Sequence, residues 1–596
     1  MMNKIKQQFQ MVTALDLRSL ALLRVGMGAL LIIDIYRRMR DLTAHYTDYG
    51  VITREVLLKL NWESGTYSLA MMSGDPWFIG LLFILTMFFG AMIILGYRTK
   101  LMTALGWFFL ASIQLRNPVI INSGDSIFRF MLFWSIWLPL GARYSIDSAL
   151  SPNDDHKKIE SVSSIGTFGF IYQLLMMYLI TAVLKRSNIW HVDFSALHYA
   201  FNMEAHATPV GQWMLNFPNL NKFLTGTALY LEFLIPIIFF VPWKHKIIRY
   251  FSILTFVGFH FTLIVTFYLG LFPWTCIFYW LALLPGNFWD YLDKKFQRNK
   301  GKEQTVYYDK DCNFCRKSVF IIREVLNLKH LEIKQVQEDP KVLAESDKYN
   351  SWIFDNGSEL INRYSVFPAL VAESPIFFWT EKFFSSSPMK FFGSRVYHFV
   401  SHNRRLASNL TKPFQVYTPI KLEVSKIGKL VAIYSILILT AWNVRTTDFN
   451  YWTPKFPSKY NPMAYALRLS QYWTMFAPHP TLEDGWFTFP GKLKNGKEVD
   501  AFRIGEKHTE EKPENLFDTY IHQRWRKYML MIWYKKYNKH RLYFGRYICR
   551  QWNTTHVGDE QLSTFKIIFN KRDTAAPGQP MPDYYKREIW SHDCFN

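Results

Sequence analysis

Runs of predominantly apolar residues, broken by short polar and basic stretches, fill the first half of the chain. A helix that crosses a bilayer needs about 20 such residues. Candidates lie at 18–36, 76–96, 100–116, 126–142, 166–184, 222–242, 247–269 and 271–286, with an isolated ninth at 427–443. The runs at 100–116 and 271–286 are short, so the pattern predicts seven to nine spans, about eight helices plus one later helix. The first run ends in Ile33-Asp34-Ile35-Tyr36-Arg37-Arg38 without a small-residue cleavage site, so it reads as a membrane helix and not as a removable signal. After residue 300 the pattern changes. A short strand (Thr305–Tyr308) precedes Cys312-Asn313-Phe314-Cys315, an amphipathic helix with Val319, Ile322 and Val325 on one face, and a second strand (Leu331–Val336). From 446 onward, alternating strands with turn signals at Glu483-Asp484-Gly485 and Asn495-Gly496 lead into a helical stretch at 515–537 and a strand at 561–572. The fold class expected is an α-helical polytopic membrane bundle with an inserted α/β domain and a C-terminal α+β domain. The boundaries are 1–296 for the bundle, 301–410 for the insert, 411–445 for a linker and the additional helix, and 446–596 for the tail.

Composition narrows this picture. Half of the 596 residues are apolar and 18% are aromatic, which excludes disorder for most of the chain. Five cysteines exclude a disulfide-stapled scaffold. The mean hydropathy of −0.03 averages an apolar first half with a polar, basic second half. The formal charge of +22 resides mostly around apolar runs, so the expected partner is the lipid bilayer and no nucleic acid. The Arg524-Trp525-Arg526-Lys527 cluster accordingly reads as a solvated or headgroup-facing surface. With the N-terminus (Lys4, Lys6) inside, Arg98, Lys100, Arg143, Lys157, Lys158, Lys244, Lys246, Arg249 and the basic segment 290–300 also fall inside, while Arg37, Arg38 and Arg40 count against the model. The insert is then expected to be cytoplasmic and the tail extracytoplasmic, with a bacterial inner membrane the expected location of this multi-pass protein.

Charges within spans are costly, so they mark either paired bundle residues or one water-accessible cavity. Arg24 and Asp34 lie in the first run. Asp125 and Arg129, spaced i, i+4, read as an ion pair. Glu232 sits four residues before Pro236, and His260 is mid-span. Lys185 and Arg186 end the fifth run, with Trp190 just beyond. They read either as an interfacial anchor or, if Lys185 is desolvated beside a permanent cation, as a base of lowered pKa. The amphipathic stretch 191–220, with His191, His198, Glu204 and His206, is expected to form an interfacial lid; no metal is expected. Cys312 opens a helix and is expected to be the exposed, attacking thiol, with Cys315 resolving and Asp309 and Asp311 opposing thiolate formation. Cys549 and Cys594 are expected either to pair in an oxidising compartment or to leave Cys549 buried and free. No Walker loop, dinucleotide glycine motif, G-x-S-x-G or internal repeat occurs.

Several segments resemble known families. LALLRVGMGALLIIDIYRRM, QLRNPVIINSGDSIFRFMLFWSIWLPLGARYSID, YLITAVLKRSNIW and LYLEFLIPIIFF, across about 15–290, resemble the HTTM family, the membrane domain shared with the vitamin K-dependent gamma-glutamyl carboxylase. By its spacing to Trp190, Lys185 matches the lysine that deprotonates vitamin K hydroquinone in that enzyme, and His260 falls where it also has a Phe-His pair. Arg186, Ser187 and Asn188 depart from that pattern, and no propeptide-binding region is recognisable. The Gln471-x-Trp473-x-Met475-Phe476 element resembles tails of HTTM proteins. YYDKDCNFCRKSV, SWIFDNGSELINRYSVFPALV and RVYHFVSHNRR, across 303–406, resemble the DCC family of thiol-disulfide oxidoreductase-like proteins, with Lys310 in place of the usual glycine. That resemblance implies a thioredoxin-like fold. Together they imply an integral-membrane enzyme that uses a reduced naphthoquinone to modify an exported polypeptide client, with an attached redox domain acting on a thiol partner. Two alternatives are a membrane thiol-disulfide oxidoreductase and a non-enzymatic maturation or export factor for a secreted protein or peptide.

Overall fold

The computed structural model describes residues 2–296, 303–416, 418–447 and 457–595. Part of the basic segment at 290–300, the junction before the insert and the start of the tail at 448–456 lie outside the described residues. In chain order the longer helices of the first half are α1 (Met2–Thr13), α2 (Leu17–Met39), α3 (Pro76–Leu95), α4 (Thr99–Arg116), α5 (Ser123–Ser135), α6 (Ile165–Leu184), α7 (Pro218–Ile238), α8 (His245–Thr266), α9 (Phe272–Leu281) and α10 (Gly286–Phe296). Every apolar run therefore forms helix. By length and composition, five helices of the described residues can cross a membrane: α2, α3, α6, α8 and Lys426–Thr446. The remaining runs form helices that fall short in length or in apolar character. The helix predicted at 126–142 ends at Ser135, and the one at 271–286 is ten residues long. Both α5 and α9 are wedged inside the bundle and need not reach lipid at both ends.

Local chemistry sets the helix ends. Asp16 caps α2 by accepting from the Arg18 backbone N–H at 2.8 Å, and Arg18 also reaches Asp290 at 2.7 Å, tying the start of α2 to α10. α3 starts at Pro76 and stops at Gly96, whose left-handed conformation (φ 68°) suits a residue without Cβ. α2 and α3 pack backbone to backbone: a Cβ on Gly28 would lie 2.7 Å from the Gly90 carbonyl oxygen. α8 turns Leu254 and Phe261 outward, as a lipid-facing helix should.

The insert places β1 (Gln304–Tyr308), α11 (Asn313–Val325), β2 (Leu331–Gln335), α12 (Pro340–Tyr349), β3 (Ile353–Asp355), β4 (Leu360–Asn362) and α13 (Ser387–His402) around a four-stranded sheet of order β2-β1-β3-β4. β1 and β2 are parallel; the other pairs are antiparallel. The domain sits on the bundle end that carries the start of α2. Glu324 accepts from the Tyr144 backbone at 3.1 Å and from Ser148 Oγ at 2.7 Å, and Asp293 accepts from Asn327 at 3.2 Å and pairs with Lys329 at 2.8 Å.

α14 (Lys426–Thr446) then runs back through the bundle into the tail. There β5 (Glu483–Thr488), β6 (Pro490–Leu493), β7 (Glu498–Asp500), β8 (Leu562–Asp573) and β9 (Tyr585–Asp593) form a five-stranded sheet beside α15 (Gln523–Trp533) and α16 (Asn538–Asn553). Asn495-Gly496 is the turn joining β6 to β7. Glu483-Asp484-Gly485, read as a turn, is instead the start of β5: it pairs in register with Asp573, Arg572 and Lys571, and the basic side chains of 571 and 572 compensate its carboxylates. The helix expected from 515 starts only at Gln523, capped by His522. The tail docks at the end of α2, where Arg524 meets Asp34 at 2.9 Å. The two appended domains therefore occupy opposite ends of the helical bundle.

Candidate functional site

Beneath the tail domain, between α6, α7, α8 and α15, lies a cavity of about 400 Å³. Lys185 caps the C-terminal end of α6 and faces this cavity while remaining 3% exposed. Its ammonium forms an ion pair with Glu232 of α7 and lies 4.2 Å from the centre of the Trp190 ring. Trp190 is held in turn by its indole N–H donating to the Phe476 carbonyl at 3.0 Å, and the His191 imidazole donates to the Lys185 carbonyl at 2.6 Å. Pro236 lacks the N–H that would bond the Glu232 carbonyl in a regular helix, which loosens α7 at this carboxylate. Deeper in the same wall, Trp280 donates to the Tyr178 hydroxyl at 3.0 Å, and that hydroxyl shares a hydrogen bond with His260 Nε2 at 2.6 Å. His260 Nδ1 is buried without a partner.

The other predicted residues do not gather here. Arg186 turns away from Lys185 and donates to the Val183 carbonyl at 3.1 Å and to the Thr447 carbonyl, securing the end of α14. Lys185 is therefore paired with a carboxylate and is not a lone base beside a second cation. Arg24 is buried at the opposite end of the bundle, where it donates to the Tyr144 carbonyl at 2.6 Å. The expected Asp125–Arg129 ion pair is absent among the described residues. Asp125 bonds Arg38 at 2.5 Å and Arg524 at 3.2 Å, because two fully aligned guanidinium groups from other elements outcompete a neighbour one turn away. Arg129 instead reaches Gln114 Oε1 at 2.7 Å and the carbonyls of Arg468 and Ser470 at 3.2 and 3.3 Å, clamping the tail onto α5. That clamp precedes Gln471, whose side-chain oxygen accepts from Gln173 at 3.0 Å and Trp473 at 2.6 Å. The following Met475 and Phe476 enter the cavity wall.

The sequence suggests a tail that caps the membrane cavity, but not which of its residues form the wall. Gln523, Arg526, Lys527, Leu530, Met531 and Tyr534 all line the cavity, and their i, i+3, i+4 spacing marks one helical face. The cluster expected on the surface is instead an inner wall: Arg526 donates to the carbonyls of Ala205 and, at 2.7 Å, Tyr268. Burial, together with the adjacent Arg526, pushes the Lys527 ammonium below the ordinary lysine range. Burial likewise keeps the cavity-lining His206 far below the usual histidine range. Asp484 is pushed up to about 6 by burial and by the nearby Glu204 carboxylate. Of the expected lid, His198 donates to the Ala575 carbonyl at 3.0 Å, and Glu204 pairs with Lys512 at 2.7 Å and Arg572 at 2.9 Å, so the lid is pinned to the tail. Among the described residues no group of three or more His, Cys, Asp or Glu side chains could hold a metal ion.

At the far end of the molecule Cys312 and Cys315 form a disulfide. Cys312 Sγ accepts from the Cys315 backbone N–H at 3.1 Å, the helix N-cap position expected from the sequence. Exposure is the reverse of the expectation: Cys312 is buried at 6%, because it turns in under the start of α11, whereas Cys315 borders an apolar groove of about 370 Å³. Cys549 and Cys594 form a second disulfide, between α16 and the end of β9.

Family models match residues 13–287 as an HTTM domain and residues 306–409 as a DCC1-like thiol-disulfide oxidoreductase. No curated protein and no solved structure matches the chain. The buried lysine and the dithiol thus belong to separate modules, and the chain carries an HTTM membrane domain fused to a DCC1-like thiol-disulfide oxidoreductase domain.

Proposed function

We propose that the HTTM domain and the tail together form an intramembrane enzyme site that uses a reduced naphthoquinone to modify an exported polypeptide, in the manner of the vitamin K-dependent carboxylase. The observation that carries this reading is the Lys185–Glu232 pair, buried in a cavity of about 400 Å³ between membrane helices and a soluble domain. Such a volume suits a small aromatic headgroup, and the unpartnered His260 Nδ1 offers it a polar contact. Lys185, Glu232, Trp190 and His260 would hold the quinol. When bound, it would supply reducing electrons and, after reaction with oxygen, the basicity needed to remove a carbon-bound proton from a glutamate. With the proton shared by the pair resting on Glu232 Oε2, Lys185 Nζ would be a neutral amine able to accept the quinol hydroxyl proton, and the ammonium so formed would balance the quinolate. Trp190 keeps water from the amine. The tail wall with Arg526 and Lys527 faces the polypeptide. The test is incubation of the purified protein in lipid with reduced menaquinone, labelled bicarbonate and a glutamate-rich peptide; labelled carboxyl product and quinone epoxide are expected, and neither should form with Lys185→Ala.

A second activity, thiol-disulfide exchange, is favoured by the disulfide at the start of α11. An incoming thiolate attacks Cys315 Sγ, the sulfur beside the groove. The new mixed disulfide forms there as the Cys312–Cys315 bond breaks and Cys312 departs as a thiolate held by the helix N-terminus. We read this domain as thioredoxin-like and cytoplasmic, and the tail, with its own disulfide, as extracytoplasmic. A Cys312→Ser variant should trap a partner on Cys315; an empty trap in cells would count against the activity.

A further inference from the structure

We propose that residues 378–412 of the CxxC domain form a membrane-surface site that rests on the anionic headgroups of the bilayer surrounding the bundle. α13 uses one side to pack on its own domain: Tyr397 meets Ser351 at 3.0 Å, and Gly393 lies against the Tyr364 ring. The other side is apolar and unpaired with the domain core. Phe391, Phe392 and Phe399 are 60–63% exposed, and Trp379 and Leu410, before and after the helix, are 69% and 68% exposed. A soluble face of this kind would be a liability.

Charge identifies the occupant. Between 378 and 412 there are six Lys or Arg residues against one acid, Glu381. Arg404 is engaged by Asp309 at 3.0 Å, and Lys382, Lys390, Arg395, Arg405 and Lys412 are exposed among the aromatic residues. Aromatic side chains interleaved with cations match the headgroup layer of an anionic leaflet.

Position gives the same answer. The chain leaving this face reaches the end of a membrane helix directly: the Tyr97 hydroxyl donates to the Pro413 carbonyl, and the Tyr97 and Phe414 rings lie 5.0 Å apart, two residues past the end of α3 at Leu95. Lys317 donates to the Thr411 carbonyl at 2.9 Å, joining α11 to the same point. The face is thus fixed at the level where α3 leaves the bilayer. Phe392 and Val396 also wall the groove beside Cys315, so seating this face turns the groove toward lipid. The redox partner that reaches Cys315 would then approach along the membrane surface.

The test uses the full-length oxidised protein, in which four cysteines are bonded and Cys276 is buried. Single nitrobenzoxadiazole labels are placed at Phe399→Cys, at Phe383→Cys and, as a control away from this face, at Lys341→Cys. The variants are reconstituted in phosphatidylcholine vesicles with or without phosphatidylglycerol, with brominated acyl chains as quencher. The proposal expects at least threefold stronger quenching at 383 and 399 than at 341, weakened about twofold when the anionic lipid is omitted. Quenching at 383 and 399 no greater than at 341 overturns it. So does shielding of those labels by a co-purifying protein instead of lipid, which would assign the face to a protein partner.

Discussion

A buried lysine in contact with a carboxylate behaves differently from a buried lysine alone. Each charge compensates the desolvation of the other, so removing one leaves an unpaired charge in a low-dielectric wall, at a cost of about 3–5 kcal/mol. Glu232→Ala should therefore lower the thermal midpoint sharply, whereas Lys185→Met/Glu232→Leu should recover most of that stability and still be inactive. Calorimetry beside a turnover assay checks both halves; an active double variant would remove the pair from the chemistry. Asp484 gives a prediction of opposite origin. Its folded-state value, about 6, lies above the ordinary 3.8, because burial and Glu204 oppose ionisation more than Arg572 and Tyr584 support it. The stabilisation linked to this group is complete below about pH 4 and is lost as pH rises toward 6, by ~3 kcal/mol at most. Asp484→Asn should flatten the pH dependence of the unfolding midpoint between pH 4 and 7; an unchanged slope would assign it to other groups. Among single residues, Lys185 was legible from its place at the end of an apolar run. Its partner was not, since 47 positions separate it from Glu232 and only packing brings them together. Asp125 and Arg129 were misread for the converse reason: local helical spacing suggested a pair that distant arginines replace.

At the scale of elements, most helices follow directly from apolar runs, because a bilayer leaves an apolar chain no other way to satisfy its backbone. Their ends are harder to read. α5 stops early inside a longer apolar stretch because the surrounding bundle, not lipid, receives it. α15 was the costliest misreading. Its Arg-Trp-Arg-Lys sequence suggests a wet surface, yet the spacing of Gln523, Lys527, Leu530 and Tyr534 already described an inner face. The docking of this helix rests on Arg524, which bonds both Asp34 and Asp125. Arg524→Ala should loosen the tail from the bundle and raise proteolytic cleavage within the tail several-fold without changing membrane insertion. Full protease resistance would show that apolar packing alone holds it. The Cys549–Cys594 bond closes a 45-residue separation, worth ~4 kcal/mol in the chain-entropy view. Reduction should lower the tail's unfolding midpoint and leave the bundle's in place, as read by fluorescence and by helical circular dichroism respectively.

Over the whole molecule, the dithiol and the cavity stand at opposite ends of the bundle. On the proposed reading, a scheme coupling the two sites would use a diffusing carrier such as the membrane quinone. The arrangement also gives the sidedness a sharp test. Cysteines introduced at the exposed Lys341 and Lys494 should react with an impermeant maleimide from opposite sides of sealed vesicles. Labelling of both from one side would refute the proposed orientation. The modular order was legible in the sequence because each module has its own periodicity. The tail was expected to cap the cavity, but the contacts that hold it there were not legible, because they join segments some 300–400 residues apart, such as Glu204 with Lys512 and Asp125 with Arg524.

The central claim is that the Lys185–Glu232 pair performs proton chemistry on a reduced quinone. It is tested most directly by measuring labelled carboxyl product and quinone epoxide from the lipid-reconstituted protein and from Lys185→Ala, with calorimetry to establish that the variant is folded. Product from the parent protein, and a loss of about 10²-fold or more in the folded variant, is the predicted result. Equal product from both, or none from the parent protein, would contradict it.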